Sequence, residues 1–263
     1  MSDHPIAARW RLVREEHRAA LIPYLTAGYP TPPRAVEALR VVEAAGADFI
    51  EVGIPFSDPL ADGVTIQRST QAALEQGMTV ARVLELVERA ALSVPVILMT
   101  YLNPVLAYGV ERFVADAHTA GASGLLLTDF PAGADPTIEQ AVGASALALI
   151  PLIAPTTGPE RLARAVAGAR GFVYLISRLG TTGARDDVPA DLATHVRRVQ
   201  AVTALPVAVG FGIGTAAQAR ATARVADGVV VGSALVTALG TGGTAAAEHL
   251  VRALAVAVRE ERR

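Results

Sequence analysis

Three carboxylates stand close together in the run FIEVGIPFSDPLADG, residues 49–63: Glu51, Asp58 and Asp62. Glu51 interrupts an apolar, strand-like stretch, where a buried charge is costly unless a partner or a reaction uses it. In DFIEV the alternation places Ile50 and Val52 on an outer, helix-facing side and leaves Phe49 and Glu51 facing in. Apolar neighbours would raise the pKa of such a carboxyl group and make it a proton shuttle near neutral pH. A plainer reading pairs Glu51 with an arginine on a rim. For Asp58 and Asp62 the plainer reading is turn chemistry beside Pro59 and Gly63.

A second set of residues could bind an anion. The runs SRLGTTGARDD, GFGIGT and VGSALV each follow a strand-like segment, and their glycines expose backbone N–H groups. With a helix N-terminus capped by Ser233, these would hold a phosphate. The alternative is tight turns and close packing of strand on helix.

Composition removes other chemistries. The chain has no cysteine, which excludes disulfides, thiolate catalysis and cysteine-held metals. It has no lysine either, so Schiff-base, pyridoxal-phosphate and Walker-type mechanisms lack their amine. His4, His17, His118, His195 and His249 are scattered along the chain and suit the surface, and no metal site is expected. The net charge of -2, without a basic block carrying aromatics, argues against nucleic acid as a partner.

Groups this far apart in sequence need a scaffold to converge. Eight strand-like runs appear: 21–26, 48–52, 96–101, 124–129, 147–153, 172–177, 206–212 and 228–233. Between them lie segments of helical period such as PRAVEALRVVEAAG, ARVLELVERAAL, VERFVADAHTAG and ADLATHVRRVQAVT, with Gly46 and Gly121 placed as helix ends. Alternation of this kind implies a parallel sheet, and eight units imply an α/β fold of the (βα)8 TIM-barrel type, one domain over residues 1–263. A doubly wound sheet shares the alternation. In a barrel, Glu51 and the glycine loops meet at the C-terminal mouth, where loops after strands 7 and 8 often hold phosphate. The segment MSDHPIAARWRLVREEHRAAL lacks a signal-type apolar core and reads as a surface helix, with Trp10, Leu12 and Val13 available for packing. The apolar run ALALIPLIAP is broken by Pro151 and Pro155 too early to span a bilayer.

The runs EVGIPFSDPLADG, YLNPVLAYG, DFP, YLISRLGTTG, GFGI and VGSA, in that order, resemble the tryptophan synthase alpha subunit over nearly the whole chain. The resemblance implies a cytoplasmic lyase of L-tryptophan biosynthesis that cleaves indole-3-glycerol phosphate to indole and glyceraldehyde 3-phosphate. It implies no cofactor, because the tautomerised indole is itself the electron sink. Carried over, Glu51 moves the proton at indole C3 and Asp62 holds the ring N–H, with Tyr174 beside them and Thr182 on a lid. Backbone around Gly183, Gly212, Gly232 and Ser233 would hold the phosphate, and Tyr24, Met99, Leu126, Thr128 and Phe211 would line the indole pocket. Asp58 and Asn103 would face a beta subunit in an alpha2beta2 heterotetramer. The chain departs from the family pattern at Val64, where proline is usual, at Leu179, where a small polar residue is common, and at Tyr24 and Thr128, which make the pocket more polar. Two other functions are a stand-alone lyase releasing free indole, with which Val64 is compatible, and a non-catalytic activator of a beta chain, against which intact Glu51, Asp62 and the phosphate glycines argue.

Overall fold

The structure, a computed structural model, describes residues 4–131, 133–177, 190–210 and 212–260. Among the described residues there are nine strands, separated by helices except at β5 and β6: β1 (Ala20–Thr26), β2 (Ile50–Gly53), β3 (Val96–Thr100), β4 (Ala122–Leu127), β5 (Ala148–Leu149), β6 (Leu152–Ile153), β7 (Val173–Ile176), β8 (Val207–Gly210) and β9 (Gly228–Val231). Their order in the sheet is β5-β4-β3-β2-β1-β9-β8-β7-β6, and each pairing is parallel.

The expected fifth strand, residues 147–153, is two strands. Pro151 has no N–H to give to a ladder, so a continuous strand cannot run through it. β5 pairs with β4, and β6, just beyond the proline, pairs with β7. Hydrogen bonds from Ile150 N to Leu125 O (2.8 Å) and from Tyr174 N to Pro151 O (3.0 Å) carry the contact across the break. The chain itself therefore closes the ring of a (βα)8 barrel there. A cavity of about 400 Å³ lies against this break, lined in part by Leu149, Ile150, Pro151 and Leu152.

Alternate strand residues fill two separate cores. Ile50, Val52, Leu98, Leu125 and Val209 face the helices, while Phe49, Ile97, Leu126, Phe172 and Ala208 fill the barrel. The expected inward pair on β2, Phe49 and Glu51, is thus found as the alternation requires. The four helical patterns appear as Pro32–Ala44, Val80–Ala90, Val110–Thr119 and Leu192–Gln200. Gly46 and Gly121 follow helix ends at φ 112 and 98, a conformation that glycine adopts without strain.

The N-terminal helix, Pro5–Glu15, does more than lie on the surface. Ile6, Trp10 and Val13 are buried, whereas Leu12 points out at 48% exposure. Trp10 enters the barrel and stacks on Phe49 and Phe172, with ring centroids 4.9 and 5.7 Å away. Gly228 makes room for it, since a Cβ there would lie 2.8 Å from the indole. This helix is a plug at the N-terminal end, opposite the mouth.

Candidate active site

Strand ends deliver the two carboxylates to one cavity of about 60 Å³, open to solvent at the mouth. Glu51 comes from β2, in register with Tyr24 of β1 and Ile97 of β3. Asp62 comes from the loop after β2, just before the helix Val64–Glu75. Tyr24, Tyr174 and Met99 complete this end of the cavity.

Each tyrosine lies over a glycine on the next strand. A Cβ on Gly53 would sit 2.1 Å from the Tyr24 hydroxyl, and one on Gly210 would sit 2.1 Å from the Tyr174 hydroxyl. No side chain other than hydrogen fits at either place. The Tyr24 hydroxyl is 3.3 Å from the Thr26 hydroxyl, which lies 2.7 Å from that of Ser69.

Glu51 is 2% exposed, and among the described residues no arginine pairs with it. Burial, and next the negative Asp62, push its carboxyl up to about 8. Asp62 is raised to about 6 by burial, opposed by a hydrogen bond from Tyr101. Burial holds Tyr24 and Tyr174 far above the usual phenol value, so both stay neutral. The lower-titrating aspartate ionises first, and its charge keeps the glutamate protonated. Two carboxyl groups so arranged are a base and an acid at the same pH.

At the other end of the cavity lie Gly212, Gly214, Gly232, Ser233 and Ala234. Ser233 is not the helix cap expected from the sequence. Gly232 holds the N-cap position without a side-chain cap bond, and Ser233 is the first residue of the helical run Ser233–Arg259. The reason is the turn itself, since Gly232 has φ -111 and ψ -82 and leaves the serine already helical. The first N–H groups of that helix have no carbonyl partner within it, and Gly232, Ser233 and Ala234 at its start line the cavity. The Gly214 N–H is already taken by Gln218 Oε1 at 2.9 Å. Ile66, Ile213 and Val230 add apolar lining to the same cavity.

The remaining expected residues divide. Thr128 lines a smaller adjoining cavity together with Thr70, Thr100 and Tyr101, not the main one. Leu126, in register with Met99 of β3, is fully buried in the barrel core and lines neither cavity. Asp58 and Asn103 are exposed on the rim outside the cavity; Ser57 donates to Asp58 at 2.5 Å. Thr182, Gly183, Phe211 and Leu179 lie outside the described residues. Among the described residues, no group of three or more His, Cys, Asp or Glu side chains could hold a metal ion.

This geometry has relatives. The family described as Tryptophan synthase alpha chain matches residues 11–262. The chain belongs to the tryptophan synthase alpha chain family. A relative of that name from Nitratidesulfovibrio vulgaris (strain DP4) is 43% identical over 248 residues, 94% of this chain and 96% of the other. The solved structure of Mycobacterium tuberculosis tryptophan synthase contains a similar chain, with a TM-score of 0.92, 43% identity, and coverage of 98% of this chain and 100% of that one. Tryptophan synthase subunit alpha from Legionella pneumophila superposes with a TM-score of 0.89 at 32% identity, covering 98% and 99%.

Reading the family motifs one by one misses Tyr101 in this alpha chain. Its run, YLNP, stands out, but its hydroxyl reaches Asp62 only because the loop after β2 folds over the end of β3. The usable signal was a tyrosine at a strand's C-terminal end, where a barrel collects polar groups. Ile66, which helps wall the cavity, follows the ADG turn by one helical turn and carried no signal beyond its apolar type.

Proposed function

We propose that this chain cleaves indole-3-glycerol phosphate to indole and glyceraldehyde 3-phosphate, as the alpha subunit of tryptophan synthase in L-tryptophan biosynthesis. The observation that carries the proposal is a single cavity with two differently tuned carboxyl groups at one end and a helix N-terminus with glycine amides at the other. An aromatic ring with an N–H suits the first end, and a phosphate suits the second.

In this reading ionised Asp62 accepts the indole N–H and stabilises the cation formed when the ring tautomerises. Protonated Glu51 gives its proton to C3. The glycerol hydroxyl next to the ring then loses its proton to the Glu51 carboxylate as its C–O becomes C=O. The bond from C3 breaks, and its electron pair returns to the ring. Glu51 ends the cycle protonated, as it began. Tyr174 packs beside both carboxyl groups, Thr182 closes a lid on Asp62, and Gly183, Gly212, Gly232 and Ser233 hold the phosphate. Tyr24 and Met99 flank the indole, with Leu126, Thr128 and Phe211 around them. The working window lies between about 6, where Asp62 ionises, and about 8, where Glu51 loses its proton.

The reading includes a beta subunit docked at Asp58 and Asn103 in an alpha2beta2 assembly, and a cytoplasmic location. No helix among the described residues is long and apolar enough to cross a membrane. Three large apolar side chains on the same rim are exposed, Leu60 at 89%, Val64 at 55% and Leu106 at 48%, which suits a partner-covered face.

The test is Glu51→Gln, which keeps shape and removes the titrating proton. Cleavage of indole-3-glycerol phosphate should fall by about 10²-fold or more, as for the loss of a general acid-base group. Normal turnover by the folded variant would rule out the assigned mechanism.

A further inference from the structure

Asp62 sits in a loop without regular structure, yet its carboxylate must hold one orientation to serve a ring N–H. The described residues provide one device that can do this. Tyr101, 5% exposed, follows β3 directly, and its hydroxyl donates to Asp62 Oδ2 at 3.1 Å. The Tyr101 phenol oxygen also accepts the backbone N–H of Ala61 at 3.0 Å. One phenol thus ties both the carboxylate and the peptide before it to the end of a barrel strand. Its ring is fixed in turn against Phe56, centroid to centroid 5.3 Å. Phe56 belongs to the same loop as Asp62, so the loop is pinned to β3 at two points.

We infer that Tyr101 is a positioning residue for the cleavage reaction: it engages Asp62 Oδ2 and leaves Oδ1 as the acceptor for the substrate's ring N–H. The inference rests on the reading of Asp62 given above. A carboxylate with one oxygen held by a donor keeps its second lone-pair set aimed in one direction. The bond also favours the charged form. Among the described residues, the titratable groups that face Asp62 from the packed elements are Glu51 on β2, Tyr24 on β1, Tyr174 on β7 and Tyr101 itself. None of these is a cation. Against burial, which pushes Asp62 up, the Tyr101 hydrogen bond is the opposing influence.

Tyr101→Phe tests this while keeping the ring against Phe56. The chain labelled with ¹³C at the aspartate carboxyl groups would be titrated by NMR, and the Asp62 signal identified by its absence from Asp62→Asn. Removing a hydrogen bond to a charged group should move the Asp62 midpoint up by about 1 pH unit. The acid limb of kcat/KM for indole-3-glycerol phosphate should move with it, and the alkaline limb should stay. A purely structural tyrosine would lower stability and leave both midpoint and limb in place, and that result overturns the inference. A shifted midpoint with full cleavage by Asp62→Asn would uphold the action of Tyr101 on Asp62 and overturn the catalytic reading of the aspartate.

Discussion

Glu51 is more stable protonated than charged, and this has a measurable cost. Its carboxyl titrates near 8 in the folded chain, against the usual value of 4.5. A folded-state pKa raised in this way gives stability that is fully present below the unfolded value and is lost as pH rises through the folded one. Glu51→Gln cannot ionise. The variant should therefore match the parent near pH 4 and exceed it at pH 9 by on the order of 5 kcal/mol, read by urea denaturation at the two pH values. The same substitution that removes cleavage would then strengthen the fold. This pairing separates a functional carboxyl from a structural one, whose loss weakens the fold. The inward direction of Glu51 was legible from strand alternation alone, because a period of 2 leaves only one face for each residue. Its high pKa was legible for the same reason, since the inner face is apolar. The part played by Tyr101 was not, because it depends on where an irregular loop comes to rest.

At the scale of elements, the helix Pro5–Glu15 shows how a local pattern can be right and incomplete. Its apolar residues predict packing, but the sequence does not say that a barrel end lies beneath them. Leu12 and Trp10 differ by little more than half a helical turn, so one faces solvent when the other faces the core. Trp10→Ala removes the side chain that fills the space between Phe49 and Phe172. It should cost about 3–5 kcal/mol in chemical denaturation. The mouth lies at the opposite end, so the folded variant should still cleave its substrate, and the assay at low denaturant checks this. The eight strand-like runs were legible because parallel strands buried on both faces are continuous apolar segments. The division of the fifth was signalled by Pro151, whose consequence becomes visible only when both neighbouring strands are known. The cap at Ser233 was displaced by one residue for a comparable reason, since VGS offers two adjacent candidates and the turn at Gly232 selects between them.

Three exposed apolar residues, Leu60, Val64 and Leu106, share a rim with the chemistry of the whole molecule. Asp58 precedes Asp62 in a single loop, and Leu106 lies on the helix Leu102–Tyr108 that starts beside Tyr101. A beta subunit resting there would restrict the loop that carries Asp62, and cleavage should rise on its addition. Leu106→Asp should weaken that response, requiring roughly tenfold more beta subunit for the same rate while cleavage by the chain alone is unchanged. A titration of rate against beta subunit decides it. The division at Pro151 acts at this scale as well. Elsewhere the ring is held by strand ladders, but between β5 and β6 it is held by the covalent chain and a few flanking hydrogen bonds, with a cavity of about 400 Å³ alongside. That makes residues 149–152 a seam in the wall, the place where local opening disrupts the fewest interactions. Amide hydrogen exchange would enter the barrel there first and spread to β4 and β7, leaving the β1–β2 side that bears Glu51 among the last to exchange. The acidic end of the active site is thus placed far around the ring from its weakest joint.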